Sequence, residues 1–262
     1  MMEIPSIPSI LLKISNLCIH WGQKLVVDNL QLELQRGEAL ALIGESGCGK
    51  SSTAHALLRI PGSCGAVSGE IWFDGEPLHA MTEKQMQHLR GKKIGIVFQD
   101  PISSLNPTLK VGWQIAETLV IHKKMSWREA KEKTVALLEM VELPEPQTAF
   151  DMFPFQMSGG MLQRVAIAIA LSCDPLLLIA DEPTTALDVT VQAEILALLD
   201  RLRIASNMSL LLITHDLSIA WRICQRVAVM HRGKILEQGP IETVFSHPQT
   251  PYTALLCRSA QD

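Results

Sequence analysis

Ala39-Leu-Ala-Leu-Ile43, followed by Gly44-Glu-Ser-Gly-Cys-Gly-Lys50-Ser51, is the stretch from which the architecture is read. Five apolar residues in a row fit a short strand buried on both faces, and the run ends abruptly in glycine. The following eight residues satisfy GxxxxGK[ST], with a strand before and a helix beginning near Lys50. A β-carbon at the glycines would crowd phosphate oxygens or forbid the dihedrals that point backbone N–H groups inward. Lys50 can set positive charge between β- and γ-phosphates, Ser51 can offer a hydroxyl to Mg²⁺, and the helix dipole adds to both. A chance glycine-rich turn would not need all of these together, so the pattern implies a bound nucleoside triphosphate.

Outward from this turn, short apolar runs alternate with helical patterns, which predicts an α/β fold with a largely parallel sheet. Leu176–Ala180, Leu210–Ile213 and Val227–Met230 read as further buried strands. Leu11–Cys18, Leu30–Leu34 and Ile71–Phe73 read as strands of a smaller, more antiparallel sheet. Between about Leu109 and Met152 the character changes. This stretch follows the irregular Asp100-Pro-Ile-Ser-Ser-Leu-Asn-Pro107 loop, and Ser126 and Glu129 have capping-box spacing ahead of Ala130, Val135, Leu138 and Val141. The expected organisation is one domain over 1–262, with a core of about 1–98 and 156–262 and a helical subdomain of about 99–155.

The 262 residues carry 23 Lys+Arg against 27 Asp+Glu, a net charge of −4, which argues against a surface built mainly for nucleic acid or anionic lipid. No run approaches the ~20 apolar residues that cross a bilayer, since Val165–Ala180 is cut by Asp174 and Pro175. The MMEIPSIPSILLKIS start lacks a basic region and a continuous apolar stretch, so no secretory signal is expected. Cys18, Cys48, Cys64, Cys173, Cys224 and Cys257 show no CxxC pairing and read as reduced thiols.

A cradle alone does not name a reaction. Leu177-Leu-Ile-Ala-Asp181-Glu182 sets two carboxylates at the end of a buried strand, where Asp181 can reach a Mg²⁺ shell and Glu182 can polarise an attacking water. Ser158-Gly159-Gly160-Met161-Leu162-Gln163-Arg164 would in isolation be an ordinary helix start. Lying between the cradle and the acidic pair, it resembles the LSGGQ signature of ATP-binding-cassette (ABC) ATPases, with Met157 and Met161 as departures. Gln99 after Ile94–Phe98 matches that family's Q-loop, Ala186-Leu187-Asp188 its D-loop, and His215 its switch histidine. Six elements in family order cover nearly the whole chain.

The resemblance implies a P-loop NTPase core with a small antiparallel β subdomain and an inserted helical subdomain. It implies ATP as substrate and Mg²⁺ as cofactor, the ion held by Ser51, Gln99 and Asp181. Glu182, His215 and Gln99 are the expected catalytic residues. Gly44, Glu45, Ser46, Gly47, Cys48, Gly49, Lys50, Ser51 and Ser52 would hold phosphates. Trp21, 23 positions before Gly44, would stack on adenine, worth ~1 to 3 kcal/mol if base stacking on nucleic-acid proteins is a guide. Two subunits pack head to tail in this family, so Ser158, Gly159 and Gly160 would complete the partner's site, and Asp188 of the D-loop is a further expected nucleotide-binding residue.

The absence of a long coiled coil, a second cassette or a basic aromatic segment disfavours a soluble member acting on DNA or ribosomes, and the lack of fused membrane spans disfavours an exporter. Phe98–Pro107, Ala180–Ala193 and the His247-Pro-Gln-Thr-Pro-Tyr-Thr-Ala-Leu-Leu256 tail look like peptide and nickel importers, Gln249–Pro251 disturbing the tail's HPYTxxLL match. The MSGGMLQR wording and the short tail favour nickel or a nickel chelate as cargo, with di- or oligopeptides as the alternative. A second homologous ATPase subunit, two membrane permeases and, indirectly, an extracytoplasmic cargo-binding protein are the implied partners. No nucleic acid is expected, and the chain should sit on the cytoplasmic side of the cell membrane.

Overall fold

The computed structural model describes residues 9–60, 65–185 and 187–259; Cys64, Ala186 and the first eight residues of the expected signal-free start lie outside them. The chain divides into two compact units, Met1–Thr82 with Thr214–Asp262, and Glu83–Ile213.

The first unit opens with strands β1 (Ile10–Trp21) and β2 (Lys24–Gln35), joined by a tight turn and paired antiparallel. Leu12 faces Leu34, Ile14 faces Leu32 and Ile19 faces Val27, and all six are essentially inaccessible. Both strands run beyond their sequence-predicted ends. Irregular pairing between Ile14 and Leu17, with Asn16 left-handed at φ 52°, breaks the alternation that sequence periodicity relies on. Next come β3 (Ala39–Ile43), α1 (Lys50–Leu58), β4 (Ala66–Phe73) and the two-residue β5 (Glu76–Pro77). β2-β1-β4-β5 form an antiparallel four-stranded sheet, the smaller sheet expected from sequence.

The second unit contains α2 (Glu83–Leu89), β6 (Ile94–Val97), α3 (Pro101–Ser104), α4 (Val111–Lys123), α5 (Trp127–Met140), α6 (Pro146–Phe150), α7 (Gly159–Leu171), β7 (Leu177–Asp181), α8 (Val189–Ser206) and β8 (Ser209–Thr214), whose last residue begins the return to the first unit. β6, β7 and β8 are parallel, Ile94 beside Leu177 and Asp181 beside Ile213, and β7 and β8 are buried at every position. Residues 99–155 hold α3 to α6 and no strand. α5 starts with the expected capping box: Ser126 accepts from the Glu129 N–H at 3.3 Å, and the Glu129 carboxylate accepts from the Ser126 N–H at 2.9 Å.

The first unit then resumes with α9 (Leu217–Ile223), β9 (Arg226–His231), β10 (Lys234–Pro240), α10 (Ile241–Ser246) and α11 (Pro251–Ser259). β9 runs parallel to β3, with Ile43 beside Val229, and antiparallel to β10. No helix among the described residues is long and apolar enough to cross a membrane. Among the described residues, Cys18, Cys48, Cys173, Cys224 and Cys257 form no disulfide.

Candidate active site

In the first unit the glycine turn joins β3 to α1. Gly44 passes so close to β9 that a β-carbon there would lie 2.1 Å from the Met230 carbonyl oxygen. Gly49, left-handed at φ 113°, precedes α1, which takes no side-chain cap and has no acid in its first turn. By contrast α3, α5, α7, α8 and α9 each begin on a capping Asp or Ser. An uncapped helix start with its positive dipole end at a glycine loop is a fitting receptor for phosphate oxygens.

Lys50 is 4% exposed, and its ammonium donates to the Gly44 carbonyl at 2.7 Å and the Glu45 carbonyl at 2.9 Å. A charge this deeply buried requires such partners. Thr53, two positions after Ser51, returns its hydroxyl to the Gly49 carbonyl at 2.9 Å, and the Gly233 N–H donates to the Cys48 carbonyl at 3.0 Å. Burial pushes the Cys48 thiol above its ordinary pKa despite the lowering effect of Lys50, so the loop carries a neutral thiol. Ser46 and Gly47 are exposed at the turn's tip, with Ser51 and Ser52 half-buried behind it. Trp21 ends β1, 45% exposed. His215 is exposed just beyond β8, followed by Asp216, which caps α9 through the Ser218 N–H at 2.7 Å.

In the second unit Asp181 and Glu182 stand at the carboxyl end of β7, Asp181 buried and Glu182 half-buried. Glu182 adopts φ 47°, a left-handed backbone unusual for a residue with a long side chain, and its N–H donates to the Ile213 carbonyl at 2.9 Å. Its carboxylate oxygen accepts from the Gln99 side-chain amide at 3.2 Å and from the Thr185 hydroxyl at 3.0 Å. Two of the sequence-predicted catalytic residues therefore meet, and Thr185 joins them. Its place three residues after Glu182 in Glu-Pro-Thr-Thr185 was the available sequence signal, but spacing alone does not reveal that the turn folds back on the carboxylate.

Ser158 caps α7, accepting from the Met161 N–H at 3.3 Å, and Gly159 and Gly160 form the helix's first turn. A β-carbon on Gly160 would stand 2.8 Å from a methyl of Val191 at the start of α8. Asp188 caps α8 by accepting from the Val191 N–H at 3.1 Å. α7 is held behind this tip by Arg164, whose guanidinium donates to the Val141 carbonyl at 2.9 Å and the Glu194 carboxylate at 3.0 Å. The candidate residues thus form two constructions: an anion-receptive cradle in the first unit, and a carboxylate cluster with a glycine-rich helix tip in the second.

The family model described as ABC transporter matches residues 27–185. The oligopeptide transport ATP-binding protein OppD of Bacillus subtilis (strain 168) is 48% identical over 249 residues, covering 93% of this chain and 70% of the relative. The dipeptide transport ATP-binding protein DppD of the same organism is 44% identical over 236 residues, covering 89% and 70%. A dimeric solved structure of the ATP-binding cassette MJ0796, in a post-hydrolysis state bound to ADP and Pi, superposes with a TM-score of 0.78 at 29% identity, covering 88% of this chain and 99% of that one.

Proposed function

This chain belongs to the ABC transporter family, as an ATPase with the cassette's P-loop fold, and from that premise we propose that it energises uptake of oligopeptides or dipeptides. The observation that carries the ATPase part is the buried Lys50 ammonium beside an uncapped helix start, a cradle for a triphosphate. Lys50 exchanges its loop carbonyls for β- and γ-phosphate oxygens, Gly44 to Ser52 surround the phosphates, and Trp21 stacks on adenine. Ser51, Asp181 and Gln99 would hold Mg²⁺, which when bound neutralises phosphate charge. Glu182 takes a proton as the water oxygen attacks the γ-phosphorus and the bond to the β,γ-bridging oxygen breaks, leaving ADP and phosphate. His215 steadies the γ-phosphate.

In a head-to-tail pair, Ser158, Gly159, Gly160 and Asp188 serve the opposite subunit's nucleotide. The Ser158 oxygen accepts from the Met161 N–H, which leaves its O–H able to donate to a phosphate oxygen. A homologous ATPase subunit, two membrane permeases and an extracytoplasmic binding protein complete the assembly, with this chain on the cytoplasmic face of the cell membrane.

Nickel, the cargo expected first from the MSGGMLQR wording, gains no support from the relatives reported above, which are peptide-transport proteins, and the peptide reading replaces it. A deletion strain decides between them. Uptake of a labelled tripeptide or dipeptide should fall and be restored by the wild-type chain but not by Glu182→Gln, while labelled nickel enters as before. Loss of nickel uptake with intact peptide uptake reverses the assignment.

A further inference from the structure

The roles above make no use of the carboxy-terminal His247–Leu256 run. Its fold is specific. The Gln249 N–H donates to the Glu237 carboxylate on β10 at 2.9 Å, and Thr250 caps the next turn by accepting from the Thr253 N–H at 3.1 Å. Pro251 opens α11, and Thr253 is 1% exposed. Tyr252 is thereby held at the first turn, its ring against the His231 imidazole with centroids 4.1 Å apart. Its hydroxyl oxygen accepts a hydrogen bond from the Glu45 N–H at 3.1 Å. Burial pushes the hydroxyl's pKa up, so it stays neutral and keeps both its proton and its lone pairs.

The Glu45 N–H belongs to the same peptide unit as the Gly44 carbonyl, the oxygen that Lys50 grips at 2.7 Å. A peptide unit is planar, so fixing its N–H fixes where its carbonyl points. One plane is therefore held at both ends, by the phosphate-binding lysine and by Tyr252. Hydrogen bonds at opposite ends of one amide also polarise each other.

We propose that Tyr252 is a positioning residue of the phosphate loop: its hydroxyl orients the Gly44–Glu45 peptide and, through it, the Lys50 ammonium, which makes α11 part of the triphosphate-binding apparatus. This rests on the nucleotide reading above. When Lys50 turns toward a triphosphate, the peptide remains fixed by Tyr252, so the loop does not have to reorganise.

The 262-residue chain carries one tyrosine, so 3-fluorotyrosine gives a single, self-assigned ¹⁹F resonance. That resonance should shift on saturation with ATP, because Lys50 leaves the Gly44 carbonyl and the polarisation of the shared peptide changes, although Tyr252 is assigned no contact with the nucleotide. Tyr252→Phe keeps the ring on His231 and removes only the hydroxyl that accepts from the Glu45 N–H. It should bind a fluorescent ATP analogue about three- to tenfold more weakly, the range set by one lost hydrogen bond, and raise KM for ATP more than it lowers kcat. An unmoved ¹⁹F resonance in ATP-saturated wild-type protein overturns the inference, as does a Tyr252→Phe affinity equal to wild type. The ¹⁹F measurement decides the matter if the variant folds poorly. Wild-type protein that fails to bind ATP would instead reject the nucleotide reading itself, and this inference with it.

Discussion

Glu182 combines a left-handed backbone, which costs ~1–3 kcal/mol for a residue of its kind, with a carboxylate oxygen shared by Gln99 and Thr185. Such a conformation persists only where surroundings impose it, here the Ile213 carbonyl on its N–H and two donors on its side chain. Glu182→Gln keeps the shape but removes the proposed proton acceptor. Phosphate release should fall by about 10²- to 10⁴-fold while filter-binding of ATP stays near wild type; turnover within a few-fold of wild type would remove Glu182 from its role. Gly44→Ala fails differently. Its methyl meets the Met230 backbone, which cannot move aside as a flexible side chain would, so the loop itself must shift. ATP binding should be lost together with a lowered melting temperature, both measurable on one purified sample.

Among the elements, strands buried at every position were legible in advance from their apolar runs: β3, β7 and β8 lie where Ala39–Ile43, Leu176–Ala180 and Leu210–Ile213 indicated. β10 was not, because Lys234–Pro240 alternates half-buried with exposed residues and ends in Gly-Pro, and it becomes a strand only by pairing with β9. The α5 capping box was readable because its partners are three residues apart. Ser126→Ala should cost about 1 kcal/mol in a urea melt, and an unchanged midpoint would deny the box its share. Contacts joining distant positions left no such trace, the Glu45–Tyr252 bond above all. Arg164 is another case, reaching α8 and the residues after α5 from within α7. Its replacement by Met should destabilise the chain by roughly 1.5–3 kcal/mol, read by the same melt. Glu142, which also accepts from Arg164, has its carboxyl held below the ordinary range chiefly by the hydrogen bond from Arg201. Its contribution is therefore complete above the ordinary carboxylate pKa and is lost as pH falls below that value through the lowered one.

At the scale of the molecule, the head-to-tail pairing proposed above sets the Ser158-Gly159-Gly160 tip against a neighbour's nucleotide. Turnover per chain should then climb with protein concentration, or on adding the homologous subunit; a phosphate-release rate per chain that stays constant through a wide dilution series would reject that pairing. Family membership was legible because the motifs are local and ordered. Cargo was not, because an ATPase subunit need never touch what is carried. Lys50 adds a consequence for selectivity. Its ammonium is buried against two carbonyl dipoles, so in the proposed cycle phosphate oxygens would replace ligands on an already dry cation. A singly charged halide competes poorly with that pair of dipoles, whereas a polyphosphate does not, and the loop should stay open to its nucleotide in chloride-rich buffer.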